Sequence, residues 1–520
     1  MEDDQKRLAR GEMSKAEYLE LHPQPLPSPR VKIIDRTQGR FMTVVVEELI
    51  EADHLARAIW DLTGELDLSW YYGRIRAVEG GAGRERTDPR LLLALWLFSY
   101  TQGVSSTREI EKLCLHHPAY RWLCGLEVVN YHTLSSFRVE NKEALDRLFV
   151  EQLGILNKEG FIDLSEVMHD GTKVMAQAGA GTFKRQAKLE EHLEMAQKLV
   201  DELSDSEACE EVSKRKQGAR QRAARENLER LKLAQKELVK VREGRSTAAE
   251  KEKARVSETD PEARIMKQGD DGYAPSYNVQ ITTDAKEKII IAVAATQSAS
   301  DAKELMPALA RVEENLGKKP LRMIVDAGYT TKGNILEMDG EKIDLIGSLC
   351  DRKIQVDARF VKRGVTEKFR PEAFRYMEES DKFTCPNEKE LALRKRKKVI
   401  GAMTYLYEAA AKDCAACPFK EQCCPGRKRR ELLRTVEVAE VLAYREKMET
   451  DEAKKAYKRR SEVAEFPHLW IKEKLGLRKF RLRGLAKVGI EATWACLTYN
   501  VQQWVRLTWR PKLEKAAAIA

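Results

Sequence analysis

At 520 residues and 42% hydrophobic content the chain is too long for one small module, and two to four domains with sizeable cores are expected. Lys and Arg number 92 against 83 Asp and Glu, a formal charge of +9 clustered in RKRKK (Arg394–Lys398), RKRR (Arg427–Arg430) and the Arg478–Lys487 segment; such runs suit a phosphate backbone or form a solvated charged face. Apolar runs such as Leu91–Phe98 fall short of the ~20 residues that cross a bilayer, and MEDDQKRLAR is too charged for a secretory signal, so a cytoplasmic, nucleoid-associated setting without membrane contact is expected, with the ten cysteines reduced.

Residues 1–85 read as an N-terminal extension, Pro-bearing early and ending in the flexible EGGAG (Glu79–Gly83). Helical signals begin at DPRLLLALWLFSYTQG, where Asp88 is an N-cap, Pro89 the first helical residue and Gly103 the stop. Two more helical stretches follow, SSTREIEKLCLHHPAYRWLCG with Ile110, Leu113 and Cys114 on one face, and NYHTLSSFRVENKEALDRLFVEQLGILNKEG. Residues 86–160 thus form an all-helical domain of helix-turn-helix size, with the Leu91–Phe98 run in its core.

The signal then switches to strand. FIDLSEVMHDGTKVMAQAG (within 161–183) reads as a strand that reaches Asp170 and turns at Gly171. Residues 184–260 interrupt it with a charged helical hairpin, one stripe being Leu189, Leu193, Ala196, Leu199 and Leu203 and the other Leu228, Leu231, Leu238 and Val241, broken near Ser204–Ser206. Either a solvated arm packed on itself or a contact surface fits that pattern. Within 261–350, YNVQITTDA and KIIIAVAATQ form a hairpin, SDAKELMPALARVEENLG a helix capped by Ser300, and RMIVDAGY a strand ending at Asp326. Residues 351–435 read as irregular, Cys-bearing and basic, and 436–520 as helices, the last with a core face of Ala492, Ala495, Cys496, Tyr499, Val501 and Val505.

Without the two interruptions the order is β-β-β-α-β-α, that of an α/β, ribonuclease-H-like catalytic core. In that topology the first and fourth strands are neighbours, so Asp170 and Asp326 stand close together, and a third acid comes from a later helix. Such carboxylates repel one another without a cation, and their hard oxygens suit two Mg²⁺ or Mn²⁺ ions serving in-line displacement at phosphorus. An acid after a strand is also a common turn residue. Cys385, Cys414-x2-Cys417 and Cys423, with Cys424 spare, suit either a structural zinc site or reduced core thiols, while Cys114, Cys124, Cys209, Cys350 and Cys496 read as apolar filler.

Stretches including DPRLLLALWLFSYTQGVSSTREIEKLC, YHTLSSFR, HDGTKVMAQAG, YNVQI, IVDAGYTTKGN, FTCPNEKEL, CAACPFKEQC and IKEKLGLRKFRLRGLAKV resemble, in that order, bacterial insertion-sequence DDE transposases with an InsH-type helical N-terminal domain. The resemblance implies a DNA transposase that binds terminal inverted repeats of double-stranded DNA and cleaves and joins strands, as at least a dimer in the active complex. It assigns the catalytic, metal-binding roles to Asp170, Asp326 and Glu465. Lys472, seven residues after Glu465, together with Tyr457 and Arg460, would hold phosphates; Arg460 lies five residues before Glu465 where the family has four. Glu462 is the competing third acid, but Leu469 stands seven residues after it. Tyr329, Thr330 and Lys332 are further expected DNA contacts, with Ala327 and Gly328 leaving room for the backbone. Arg108, His132, Arg138 and Lys142 are expected contacts of the helical domain. His169 reads as structural or as a substrate contact.

Overall fold

The computed structural model describes residues 2–22, 43–77, 85–205, 214–269, 271–349 and 359–519. The Pro-rich stretch at Pro23–Pro29, the Glu79–Gly83 loop, Cys209 and Cys350 lie outside the described residues. Two compact units result, Met1–Val45 and Val46–Ala520. In the first, helices Glu2–Ala9 and Lys15–Leu21 are present, the second opened by a reciprocal capping box between Ser14 and Glu17.

The larger unit is mixed α/β. Asp88 caps the Pro89–Thr101 helix as its sequence predicts, accepting from the Arg90 amide at 2.9 Å. Leu92–Phe98 are buried, and Tyr100 stacks on Trp494 with ring centroids 6.1 Å apart. The last helices, Leu485–Trp504 and beyond, are therefore core packing for the N-terminal helices, as their apolar face predicts. A Leu55–Glu65 helix, inside the stretch read as an extension, buries Ile59 and Leu62 in the same core.

Strands β1 (Glu166–Met175), β2 (Tyr273–Asp284), β3 (Ile290–Thr296), β4 (Arg322–Val325) and β5 (Asp344–Ile346) form the central sheet in the spatial order β3-β2-β1-β4-β5, with a short strand, Arg264–Lys267, also on β2. β1 runs antiparallel to β2 and parallel to β4, so the first and fourth core strands are adjacent, as expected from the element order. The expected turn at Gly171 does not occur: β1 is continuous through it, with Gly171 opposite Gln280. Its lack of a side chain serves close packing instead.

Two insertions interrupt this sheet. Helices Gln186–Asp205 and Lys214–Glu243 pack on each other through Leu189, Ala196, Leu228, Leu231, Ala234 and Leu238, a small core separate from the main one. The second insertion, expected to be irregular, contains a five-stranded antiparallel meander, β6 (Arg375–Met377), β7 (Lys382–Thr384), β8 (Glu390–Val399), β9 (Ala402–Ala409) and β10 (Glu431–Glu437). The RKRKK run is a strand of that meander. Val399 pairs with Ala402 across a two-residue turn, where Gly401 at φ +68 adopts the left-handed conformation that glycine tolerates. Among the described residues, no helix is long and apolar enough to cross a membrane.

Candidate active site

Parallel pairing sets the two aspartates side by side. The last β1–β4 pair is His169 with Val325, so Asp170 and Asp326 each stand one residue beyond it. Each carboxylate is anchored by the following amide: Gly171 N–H donates to Asp170 Oδ1 at 2.8 Å and Ala327 N–H to Asp326 Oδ1 at 2.7 Å. On one face of the same strands Met168, Ile324 and Ile346 bury against Ala453, Ala456, Val463 and Ala464. That apolar contact fixes the Asp451–Lys458 helix and the segment after it over the strand ends, which brings Tyr457, Arg460 and Glu465 to the acids.

Ser461–Glu465 is a π-helical turn. With i→i+5 geometry, residues five apart share a face, which accounts for the spacing of Arg460 and Glu465. Arg460 Nη1 donates to Asp170 Oδ2 at 3.1 Å, and Nη2 lies 3.9 Å from Glu465 Oε1. The Tyr457 hydroxyl lies 3.5 Å from Asp326 Oδ1. Glu462 turns away to pair with Lys288 at 3.1 Å. Pro467 occupies the first turn of the Phe466–Glu473 helix, where its missing N–H is no loss.

Burial pushes Asp170 up to about 6, against the pull of Arg460 and the Gly171 amide, with Asp326 and Asp301 adding to the rise. Desolvation lowers Lys472, which also feels the charge of Asp170. Among the described residues no three His, Cys, Asp or Glu side chains form a ready metal cluster; the acids are instead disposed about the Arg460 guanidinium. Their chemistry nevertheless fits a hard divalent cation: the donors are carboxylate oxygens, and burial raises Asp170 even with Arg460 beside it, so a further cation would be favoured there.

Beside the acids opens a cleft of about 2410 Å³ bounded by the Asp326 turn, the Val399–Ile400 tip of the insertion and the Asp451–Lys458 helix. Lys303, Lys332, Lys397, Lys398, Arg445, Lys454, Lys455 and Lys458 line it against Glu337, Glu437, Glu449 and Asp451. Its potential is therefore positive on balance, as a polyanion groove requires.

Several expected contacts are differently placed. Tyr329 is buried and donates to Gln280 Oε1 at 2.6 Å, so it is not a surface contact for DNA. Arg138 is also buried, its guanidinium 4.5 Å above the Trp96 ring and its Nη1 donating to the Ser105 carbonyl, because the helix face that carries it packs on the core. Lys332 lines the cleft but pairs with Glu437 at 2.8 Å. Arg108 and His132 remain on the surface about Tyr131, and Lys142 pairs with Asp146. His169 is buried between Thr282 and Gln280, the structural reading of the two. Gly328 carries both functions: it lines the cleft, and a Cβ there would touch Asp301.

Cys385, Cys414, Cys417, Cys423 and Cys424 line one cavity of about 30 Å³ in the insertion. Three of the sulfurs accept N–H groups, Cys385 from Lys389, Cys414 from Arg430 and Cys417 from the Asn387 side chain. Burial raises the Cys423 thiol to about 12. Cys114, Cys124 and Cys496 are buried filler as expected, the first two with sulfurs 3.6 Å apart.

Residues 384–505 match the family described as Transposase DDE domain, a span that includes Glu465 and the cysteine pocket, and residues 44–140 match a transposase domain, DUF772. Together the two matches indicate an insertion-sequence DDE transposase. The transposase matches no curated protein. Among solved structures it is similar to a piggyBac transposase synaptic complex with hairpin DNA, at 9% identity and a TM-score of 0.28, covering 88% of this chain and 73% of that one. At that score the likeness carries no argument. Asp301, Asn278 and Gln280, which meet behind the two aspartates, carry no motif in the sequence: two are buried polar residues of β2 and the third is a partly exposed acid in the turn after β3.

Proposed function

We propose that this transposase binds the terminal inverted repeats of its element and catalyses strand cleavage and strand transfer by in-line phosphoryl transfer on a ribonuclease-H-like core. The observation that carries the reading is the meeting of Asp170, Asp326 and Glu465 about Arg460 at the mouth of a basic cleft. Asp170, Asp326 and Glu465 would hold two Mg²⁺ or Mn²⁺ ions, which supply charge neutralisation and a more nucleophilic oxygen when bound. The chain's own contributions follow from the geometry. Arg460 orients Asp170 and Glu465, and the Tyr457 hydroxyl steadies Asp326. Lys472, half-desolvated near Asp170, offers a cation to a phosphate, and the lysines of the cleft hold the rest of the duplex. Two ends must be paired, so the active complex is at least a dimer.

We propose in addition a structural zinc on Cys385, Cys414, Cys417 and Cys423: these thiols line one pocket without forming a ready metal cluster, and the N–H donors to Cys385, Cys414 and Cys417 would favour their thiolates once the four closed on a metal. Metal analysis of the purified protein tests it directly: one zinc per chain, lost in Cys414→Ser/Cys417→Ser, against none in either.

A labelled duplex carrying the inverted repeats that flank the gene, given Mg²⁺, tests the main reading. Wild type cleaves and joins, and Asp326→Ala binds without cleaving. Cleavage without joining identifies a nuclease; binding alone by wild type identifies a regulator that has lost catalysis. Nicking by Asp326→Ala would overturn the assignment of the acids.

A further inference from the structure

Behind the two aspartates lies a buried polar network with no role in the mechanism above. Gln280 sits at its centre, 2% exposed. Its amide nitrogen donates to Asp301 Oδ1 at 2.9 Å, and its carbonyl oxygen accepts from the Tyr329 hydroxyl at 2.6 Å and faces His169 Nε2 at 2.8 Å. Asn278 and Lys173 add donors to the same Asp301 oxygen at 2.6 and 3.4 Å, and His169 Nδ1 meets the Thr282 hydroxyl at 2.9 Å.

A carboxylate accepts hydrogen bonds and does not donate them, so Asp301 fixes which end of the Gln280 amide faces it. The carbonyl oxygen is thereby turned to the other side, where it too can only accept. His169 must then carry its proton on Nε2, leaving Nδ1 to accept from Thr282. One charge thus decides the orientation of an amide, the tautomer of an imidazole and the direction of a phenol. Two of those groups belong to the segments that carry the acids: His169 precedes Asp170, and Tyr329 closes the turn begun by Asp326, donating its amide to the Asp326 carbonyl at 3.0 Å.

The glycine of HDG is packed tightly against the same network, and that of DAG lies within ordinary contact of it. A Cβ on Gly171 would overlap the Gln280 amide and stand 2.8 Å from Asp301, and one on Gly328 would stand 3.6 Å from the Asp301 Cβ. We propose that Asp301 and Gln280 are positioning residues for phosphoryl transfer, together setting the separation of Asp170 and Asp326 from behind the sheet. This rests on the reading that those two aspartates carry the reaction.

Exchanging amide and acid tests it in the full-length protein. Gln280→Glu opposes two carboxylates, and Asp301→Asn frees the Gln280 amide to turn over. The double variant Asp301→Asn/Gln280→Glu restores one amide facing one carboxylate with unchanged shape and net charge. Single-turnover cleavage of the labelled end duplex is expected to fall about 10- to 100-fold in Gln280→Glu, as small misplacements of reacting groups do, and to return to within about threefold of wild type in the double variant. Mn²⁺ titration of the DNA-free protein, followed by electron paramagnetic resonance, should show weakened binding in the single variant and recovery in the double, while end-duplex affinity stays within about twofold. Melting temperatures identify any variant that fails to fold; if Gln280→Glu is one of them, the Asp301→Asn and double pair is compared in its place. Single variants with wild-type cleavage and Mn²⁺ binding overturn the inference, as does a folded double variant no better than the worse single. The Asp326→Ala control separates the two levels: cleavage by that protein removes the parent reading, whereas its inactivity beside a fully active Gln280→Glu removes only this inference.

Discussion

Arg460 and Glu465 are five residues apart and share one face, their side chains 3.9 Å apart, because the intervening turn is π-helical. In an α-helix residues five apart stand about 140° apart around the axis, which would carry the glutamate away from Asp170. A single wider turn therefore joins the acid of the late helical segment to the acid of the first strand.

Replacing Arg460 with Ala should slow end cleavage about 100- to 1,000-fold, the usual effect of deleting one preorganised charged donor at a reacting centre. Arg460→Lys should recover only part of this, since one ammonium cannot span Asp170 and Glu465 as the planar guanidinium does. Single-turnover rates decide it, and a wild-type rate for Arg460→Ala removes the arginine from the site.

The two nearby glutamates should separate cleanly. Glu465→Gln is expected to abolish cleavage and joining while end binding persists. Glu462→Gln breaks only the pair with Lys288, whose glutamate side chain is 70% exposed, and should change stability by less than ~1 kcal/mol and activity within about twofold. The reverse pattern in a strand-transfer gel would transfer the third role to Glu462.

Arg138→Ala is expected to act on folding. Removing a buried guanidinium stacked on Trp96 should cost about 2 kcal/mol or more in chemical denaturation, and Arg138→Lys should not restore it, because the stacked plane and the bond to the Ser105 carbonyl are both lost. A variant of wild-type stability with weakened end binding would return Arg138 to the DNA surface.

Glu437 joins the insertion to the core, and its pairing is pH-dependent. Its bond to Arg445 lowers it to about 2, against the opposing effect of burial and with Lys332 assisting, from an ordinary value near 4.5. The folded state thus holds the proton less tightly than the unfolded one, and the contribution is present in full above about pH 4.5 and lost as pH falls toward 2. With Arg445 half-exposed and screened, about 1 kcal/mol is expected. Thermal unfolding of wild type and Glu437→Gln should differ at pH 7 and converge only at about pH 2 and below; a constant difference across that range would falsify the pairing as the cause.

Asp170 and Asp326 are legible as strand-end acids, because strand ends and turn formers are local patterns, whereas Glu465, with Lys472 seven residues on, comes only through the family resemblance. The neighbours that position them are not legible. Gln280 meets Tyr329 and His169 only through strand register, which no local pattern records. Tyr329 and Arg138 read as surface groups because polar side chains usually are; each is buried with its partners across the sheet or the helix bundle. The second insertion hid its strands for a related reason. The Glu390–Val399 strand is mostly exposed and carries RKRKK, so it lacks the apolar alternation that marks a half-buried strand.

The ladder between β1 and β4 gives the site a scale independent of chain length. Asp170 and Asp326 are 156 positions apart in sequence, yet their relation is set by four paired residues, Glu166–His169 with Arg322–Val325. Everything inserted between those strands can lengthen, shorten or acquire a core of its own, as the helical arm has, without altering the gap between the acids. Such a pair of acids can be kept in place while new modules are added, because its ruler stays constant.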